Sequence, residues 1–340
     1  MPSPGTPGEG EGGGSPERAL SPALSLNTGR GSGARTFLID TDTASDDAVA
    51  LIMALRHPDV RVAAITVVSG NVPLAQGVRN AIYTAELCGS PVPVFAGYDR
   101  PLKREPAHAE WFHGHDGLGD MNYPAPKRAA EREHAVDAMI RTIRANPGLV
   151  LVTLGPLTNV AQALTRDPGI ARLVSRCVIM GGCPCCEGNV TPAAEYNIWC
   201  DPEAAQIVFH SGMPIEMVGW QLCRFDAVIG EKDIEHVRAI GTDLANFTID
   251  CNRVAMKAYH KQAGEIGIAL PDPVTMAVAL DASITLEQSN HNVEIECESE
   301  LTRGMTVVDR LNVTDRDPNA AVVWKIEIPR WKQLLYQLLR

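Results

Sequence analysis

The amino-acid sequence predicts an α/β fold in which an open, mostly parallel, doubly wound (Rossmann-like) sheet is flanked by helices. From Arg35 onward, short apolar runs alternate with segments of helical periodicity. Strands that alternate with helices in this way imply right-handed crossovers and a parallel sheet. Residues 35–340 contain no internal repeat and no linker-like composition. We therefore expect one domain over residues 35–340.

The predicted elements follow in chain order. Each strand is a short apolar run, and we predict strands at 36–39, 62–68, 92–95, 149–153, 177–180 and 215–218. Each helix is a longer segment between two such runs, and we predict helices at 46–56, 74–87, 135–144, from 159 onward and at 202–209. The first helix has a fully apolar face formed by Val49, Leu51, Ile52 and Leu55, which is typical of a helix packed on a sheet.

The composition excludes several classes of protein. The chain of 340 residues is 45% apolar and carries a net charge of -11, with its basic residues scattered. Nucleic acid or an anionic membrane is therefore not the expected partner, since phosphate binding needs clustered Lys and Arg. No apolar run approaches the roughly 20 residues of a membrane-spanning helix. The nine cysteines form no secreted disulfide framework, because their number is odd and no signal-like start precedes them; we expect a cytoplasmic protein.

Residues 1–34 differ in composition from the rest of the chain. They are dominated by Gly, Pro and Ser, and such a segment cannot bury enough apolar surface to offset its ordering entropy. We predict a disordered extension.

An acidic segment, LIDTDTASDDA, follows the first predicted strand and contains Asp40, Asp42, Asp46 and Asp47. Sites in open parallel sheets form beyond the carboxyl ends of the strands. Capping of the next helix, for which Ser45 or Asp46 is suitable, explains one acidic residue but not four. Crowded carboxylates repel one another unless a cation neutralises them, and oxygen ligands suit Ca²⁺ or Mg²⁺. The alternative is an acidic, solvated turn.

Polar motifs follow other predicted strands in the same way. They are Ser69-Gly70-Asn71, LGPLTN at 154–159, Met180-Gly181-Gly182 and EGNVTPAAEYN at 187–197. Each motif alone is compatible with an ordinary turn or helix cap. Their recurrence at one edge of the sheet indicates a site there.

These motifs resemble those of the nucleoside hydrolases, the inosine-uridine-preferring nucleoside N-ribohydrolase family. LIDTDTASDDAVA is similar to the family pattern D-x-D-P-G-x-D-D-x-x-A, with Thr43-Ala44 in place of Pro-Gly. VVSGN, FAGYDRPL, HGHDGLG, LGPLTN, IMGG, EGNVTPAAEYNIWCDPEAA, LPDP and GMTVVD follow in family order. The resemblance covers Arg35 to the C-terminus and implies the nucleoside hydrolase fold.

The resemblance also implies a bound Ca²⁺ and hydrolysis of the bond between ribose and base. It assigns the metal ligands to Asp42, Asp47, Asp272 and the carbonyl of Leu154, and the general base to Asp42. It assigns binding of the ribose 2′- and 3′-hydroxyls to Asp46 and Asn197, with Asn71 nearby. It assigns binding of the 5′-hydroxyl to Asn189 and Glu195, and Met180 lines the face of the sugar. For Asp40 we expect a role in orienting other groups of the site.

One departure from the family concerns the leaving base. Pro271 stands where the inosine-uridine subgroup has a histidine thought to protonate the base, and proline has no proton to donate. Candidates for contacts with the base, or for its protonation, are Trp111, Phe112, His113, Tyr259 and His260; the alternative for each is ordinary packing.

The expected substrate is a nucleoside, because an acidic pocket repels a 5′-phosphate, and the resemblance implies a homo-oligomer, a dimer or a tetramer. Two alternatives remain. One is a nucleoside- or ribose-binding protein that keeps the metal site without catalysis. The other is a phosphatase of the haloacid dehalogenase type, which also begins with a strand and D-x-D.

A cysteine motif contains Cys183, Cys185 and Cys186. No second Cys/His pair lies at a zinc-like spacing, and we expect reduced loop cysteines.

Overall fold

The computed structural model describes residues 34–340, so the predicted disordered extension lies outside the described residues except for its last position. The strands are β1 (Arg35–Thr41), β2 (Val60–Val67), β3 (Val94–Ala96), β4 (Leu149–Thr153), β5 (Val174–Met180), β6 (Ile215–Val218), β7 (Thr285–His291), β8 (Val293–Ile295), β9 (Thr306–Val308) and β10 (Ala320–Ile326). The α-helices are α1 (Ser45–Arg56), α2 (Leu74–Leu87), α3 (Glu110–His113), α4 (Ala135–Ala145), α5 (Thr158–Arg166), α6 (Tyr196–Cys200), α7 (Pro202–Phe209), α8 (Glu231–Ile240), α9 (Asp243–Asp250), α10 (Arg253–Ala263), α11 (Pro271–Leu280) and α12 (Ile328–Leu338).

The central sheet has the order β3-β2-β1-β4-β5-β6-β10-β7. All its neighbouring strands pair in parallel except β7, which pairs antiparallel with β10. β8 and β9 form a separate two-stranded antiparallel sheet. The predicted open, mostly parallel, doubly wound sheet is confirmed.

Both faces of the sheet are covered by helices. Alternate residues of β1 point to opposite faces, so Phe37 and Ile39 pack in one apolar core and Leu38 in the other. The first core includes side chains of α1, α2, α11 and α12, and the second those of α4, α5 and α7. Burial on both faces explains why the strands are continuous apolar runs rather than alternating ones.

The strand order locates the site. β1 lies between β2 and β4, and the chain winds away from β1 in both directions, which is where open α/β sheets place ligands. Asp40 is in register with Thr66 of β2 and Thr153 of β4. The segments that follow these three strands therefore meet at one edge. Among residues 34–340, no helix combines the length and apolar character needed to span a lipid bilayer.

Candidate active site

Four buried aspartates, Asp42, Asp46, Asp47 and Asp272, meet beyond the carboxyl end of β1, and a fifth, Asp40, lies within the strand. Asp40, Asp42, Asp46 and Asp47 lie at the end of β1 and the start of α1, and Asp272 arrives from the first turn of α11. Carboxylate oxygens of Asp46, Asp47 and Asp272 lie within 4.8 Å of one another. The structure thus assembles acidic side chains from opposite ends of the domain.

Burial and mutual repulsion disfavour the ionised forms of this cluster. Burial raises the pKa of Asp46 to about 6. Burial, with repulsion from Asp46, also raises the pKa of Asp47 to about 6. Burial and neighbouring aspartates raise the pKa of Asp42 and of Asp272 well above the usual range. A cation among these groups would lower their pKa values, because a nearby opposite charge favours the ionised carboxylate.

Hydrogen bonds hold two of the carboxylates in place. The Thr41 hydroxyl donates to Asp47 Oδ1 at 2.5 Å, and the Ala44 N–H donates to Asp47 Oδ2 at 2.9 Å. The N-cap of α1 is Ala44, and Asp47, rather than the capping candidates Ser45 and Asp46, makes the side-chain hydrogen bond at the start of the helix. The Asn71 N–H donates to Asp42 Oδ2 at 2.6 Å.

The remaining oxygens fit a hard cation. Asp42 Oδ1 and Asp46 Oδ1 are buried without a hydrogen-bond partner. Unpaired buried acceptors are costly, and a set of carboxylate oxygens is the donor chemistry that Ca²⁺ and Mg²⁺ prefer. The residues present therefore fit the divalent metal that the fold family implies.

Two glycines enclose the Asp42 carboxylate. A Cβ at Gly70 would lie 2.1 Å from Asp42 Oδ2, and a Cβ at Gly155 would lie 2.6 Å from Oδ1. Gly70 follows β2 and Gly155 follows β4. The backbones after the two flanking strands can approach this carboxylate so closely only because these residues lack a side chain.

Asp40 faces the interior of the sheet. Its Oδ1 accepts hydrogen bonds from the Thr66 hydroxyl at 2.5 Å and from Asn159 Nδ2 at 2.9 Å. Burial raises its pKa to about 7. These contacts link the ends of β1 and β2 to α5, an arrangement suited to the predicted orienting role.

The other polar motifs form a second wall. Asn197 Nδ2 donates to the Leu154 carbonyl oxygen at 2.8 Å and contacts Met180 Sδ at 3.2 Å. Glu195 accepts from the N–H groups of Gly182 at 2.9 Å and Asn197 at 2.8 Å. Asn189 Oδ1 accepts from the Tyr196 N–H at 2.9 Å.

These residues surround a cavity of about 90 Å³. Ten of the residues singled out in the sequence line it: Asp46, Asn71, Trp111, His113, Leu154, Met180, Asn189, Glu195, Asn197 and Asp272. Phe112 and Pro271 line it as well. Asp42 and Asp47 are fully buried and do not line the cavity.

The cavity also includes residues that sequence reasoning missed, namely Trp220, Tyr196 and Gln262. Trp220 follows β6 and is 5% exposed. Its segment, GWQLCR, is part of none of the motifs quoted from the sequence, so only its position after a strand could have indicated the site.

The structure does not place Tyr259 and His260 against this cavity. The Tyr259 hydroxyl donates to Glu265 Oε2 at 2.6 Å, and its ring packs edge-on behind Trp220 with centroids 6.2 Å apart. His260 is exposed, with Nδ1 3.3 Å from the Glu265 carbonyl oxygen. α10 directs both side chains elsewhere, which corrects the expectation that they reach the base.

His113 does reach the cavity. Its Nδ1 lies 2.8 Å from the Ser45 hydroxyl and 3.7 Å from Asp46 Oδ1. Burial lowers its pKa to about 4, so the imidazole is neutral near pH 7. Trp111, 63% exposed, stands at the rim.

Comparison with known proteins assigns the family. Residues 37–333 match the model of the "Inosine-uridine preferring nucleoside hydrolase" family. The pyrimidine-specific ribonucleoside hydrolase RihA of Shewanella sp. (strain ANA-3) is 39% identical over 309 residues, which cover 90% of this chain and 96% of the relative. This extent of similarity decides against the phosphatase alternative.

Solved structures agree with the sequence relatives. A plant nucleoside hydrolase, PpNRh1, superimposes with a TM-score of 0.85 at 31% identity, covering 90% of this chain and 98% of the other. A purine-preferring ribonucleoside hydrolase from Gardnerella vaginalis superimposes with a TM-score of 0.83 at 32% identity, covering 90% and 99%. With its buried acidic cluster and its match over nearly the whole domain, this chain belongs to the nucleoside hydrolase family and is a hydrolase of N-glycosyl bonds.

Proposed function

We propose that the chain is a calcium-dependent enzyme that cleaves ribonucleosides to ribose and free base, with Asp42 as the general base. The observation that carries the proposal is the environment of Asp42. Its carboxylate is fully buried, enclosed by two glycines, and has one oxygen without a protein partner beside the acidic cluster. A folded chain gains nothing from such a group unless a cation or substrate engages it.

The proposed metal ligands are Asp42, Asp47, Asp272 and the Leu154 carbonyl oxygen. When bound, Ca²⁺ would offset the repulsion among the carboxylates and acidify a nearby water. Asp42 would then accept the proton of the attacking water through its free Oδ1. The Asn71 N–H on Oδ2 fixes the direction of that oxygen.

The proposed ribose contacts come from the two walls of the cavity. Asp46, Asn71 and Asn197 would bind the 2′- and 3′-hydroxyls, Asn189 and Glu195 the 5′-hydroxyl, and Met180 the sugar face. Bond cleavage passes through a positively charged, oxocarbenium-like sugar, which the surrounding carboxylates stabilise. The same negative charge would repel a 5′-phosphate, so we propose nucleosides rather than nucleotides as substrates.

The leaving base would occupy the part of the cavity lined by Trp111, His113 and Trp220. Pro271 lines the cavity without a proton to donate. His113 also lines the cavity, and its imidazole is neutral near pH 7 because burial lowers its pKa to about 4. The relatives at 39% identity are named pyrimidine-specific, so uridine and cytidine are the first substrates to test.

The decisive experiment is release of free ribose from uridine, cytidine, inosine, adenosine and guanosine, with and without a chelator. We expect chelator-sensitive release by the wild type and about a 100-fold or greater loss in Asp42→Asn, since general-base catalysis contributes on the order of 10²–10⁴. Asp226→Asn, which changes an exposed carboxylate outside the site, is the matched control.

The alternative function, a nucleoside-binding protein without turnover, rests on Pro271 in place of the family histidine. It predicts that calcium and nucleoside bind while no ribose is released. That result with a folded wild type would overturn the proposed activity.

A further inference from the structure

The turn after β5 carries a dithiol that the proposed reaction does not use. Cys183-Pro184-Cys185-Cys186 has the C-x-x-C spacing, and all nine cysteines of the chain are free thiols in the described structure, residues 34–340. Cys183 is buried, Cys186 is half-buried and Cys185 is exposed. Access from solvent therefore differs among the three thiols.

The backbone brings the first and last cysteines of this turn together. The Cys186 N–H donates to the Cys183 carbonyl oxygen at 3.4 Å. Pro184 occupies the second position of the turn, and Cys185 has a φ of 56° at the third, the pattern of a type II turn. Such a turn holds its first and fourth Cα atoms within about 7 Å, close to the span of a disulfide.

Contacts with the fold fix the turn in position. The Cys183 N–H donates to the Thr306 hydroxyl at 3.1 Å, and Pro184 packs closely on Gly219 after β6. The Cys183 thiol donates to the Ala193 carbonyl oxygen at 3.3 Å. The turn therefore holds Cys183 and Cys186 as close neighbours in the reduced protein.

We propose that Cys183 and Cys186 form a reversible disulfide when the protein meets a small-molecule disulfide such as oxidised glutathione, and that this bond weakens nucleoside binding. The effect on binding rests on the proposed function, whereas the disulfide itself does not.

The chemistry proceeds by two exchange steps. The Cys186 thiolate attacks one glutathione sulfur, forms a mixed disulfide and displaces one glutathione thiolate. The Cys183 thiolate then attacks the Cys186 sulfur, forms the intramolecular S–S bond and displaces the second glutathione. Both protein thiols lose their protons to solvent, so two thiols are oxidised as one glutathione disulfide is reduced.

The environment favours Cys186 as the attacking group. The neighbouring Cys183 side chain lowers the pKa of Cys186, whereas the Cys186 side chain and burial raise the pKa of Cys183. Cys186 is also the more accessible of the two. Cys185 is more exposed, but a bond between adjacent cysteines would distort the turn.

Formation of the disulfide would affect the cavity through Ala193 and Glu195. Oxidation removes the Cys183 S–H, so the Ala193 carbonyl oxygen loses its donor. Two residues later, Glu195 lines the cavity and accepts from the N–H of Gly182, the neighbour of Cys183. Because the loss of one such hydrogen bond near the substrate has a modest effect on binding free energy, we expect KM to rise about threefold to tenfold with kcat nearly unchanged.

The test treats the full chain with oxidised glutathione and maps non-reduced peptides by mass spectrometry. We expect an intramolecular Cys183–Cys186 link, two hydrogen masses lighter than the dithiol, in the wild type and in the matched control Cys185→Ser. Cys183→Ser should stop at a glutathione adduct on Cys186, and Cys186→Ser should form no link. Dithiothreitol should restore both the peptide mass and KM.

Three results would overturn the inference: a link that involves Cys185, glutathione on Cys185 as the sole product, or a correct disulfide that leaves KM unchanged. Absence of ribose release from the reduced enzyme would instead count against the proposed function, since the peptide map tests the disulfide without turnover.

Discussion

At the residue scale, Gly70 and Gly155 determine the position of the Asp42 carboxylate. We expect Gly70→Ala to displace that carboxylate, because the new Cβ would lie 2.1 Å from Oδ2. Gly70 needs no left-handed backbone, so alanine imposes no backbone strain there, and the new Cβ would press on the Asp42 carboxylate and on Pro156 Cδ. Ribose release should fall about 100-fold or more, in line with loss of a general base.

The matched control is Gly230→Ala, whose Cβ would meet no atom closer than 3.9 Å. Ribose release and calorimetric Tm should be measured for both variants. Full activity in Gly70→Ala would contradict the role given to Asp42.

Individual residues also show how far the sequence predicts the site. The Asp cluster and Asn197 were identified by their positions after strands and by the family resemblance. Asn159 was open to interpretation as a helix cap, yet its side chain donates to Asp40 and Val67 and accepts from the Tyr98 N–H at 3.0 Å. Side-chain contacts between segments so far apart in sequence leave no local pattern to recognise.

At the element scale, the Asp233 carboxylate of α8 joins this helix to α12. Asp233 accepts from Lys332 Nζ at 2.8 Å, the Tyr336 hydroxyl at 2.6 Å and the Gly230 N–H at 3.0 Å. Burial alone would raise its pKa, but the hydrogen bonds from Lys332 and Tyr336 outweigh burial and lower it. We expect Asp233→Asn to lower the free energy of unfolding at pH 7 by about 1–2 kcal/mol.

The pH dependence of this effect follows from the direction of the shift. A carboxylate with a lowered pKa in the folded state contributes stability above its unfolded pKa of about 3.9, and the contribution is lost as the pH falls through the folded value. The difference in the free energy of unfolding between wild type and Asp233→Asn should therefore narrow near pH 3. Urea unfolding measures this difference, with Asp226→Asn as the control. An equal difference in the free energy of unfolding at pH 7 and at pH 3 would refute this account.

The predictability of the elements changes along the chain. α2, β4, α7 and β6 have the predicted bounds, because each is an apolar or amphipathic segment with clear breaks. No element beyond Val218 was predicted. β7 is mostly exposed, with a polar sequence, TLEQSNH, that lacks the apolar run of a buried strand, and it forms a strand only because β10 offers an edge to pair with.

At the scale of the whole molecule, the acidic cluster couples metal binding to stability. A ligand at 100 times its Kd adds about 2.7 kcal/mol to the free energy of unfolding. We expect Ca²⁺ to raise Tm by several degrees over the chelated protein, at about 2–4 °C per kcal/mol for a domain of this order of size.

The Asp272→Asn variant tests whether the effect of Ca²⁺ on Tm depends on the acidic cluster. Removing one buried charge relieves repulsion from Asp46 and Asp47, so the chelated variant should melt above the chelated wild type. It should also lose most of the response to Ca²⁺. A Tm that is insensitive to both chelator and variant would exclude a metal among these carboxylates.

The packing of α11 on α1 has a further, kinetic consequence. Side chains of α11 and α1 share one apolar core, and the first turn of α11 brings Asp272 to Asp46 and Asp47 across more than 200 residues of chain. At the other end of α11, the Arg35 guanidinium of β1 donates to the carbonyl oxygens of Ala279 and Leu280 at 3.0 and 2.7 Å. Closing so long a loop is a late event in folding. An ion at this site would meet a complete set of ligands only in the native molecule, so we expect Ca²⁺ to slow unfolding and to leave the rate of refolding unchanged.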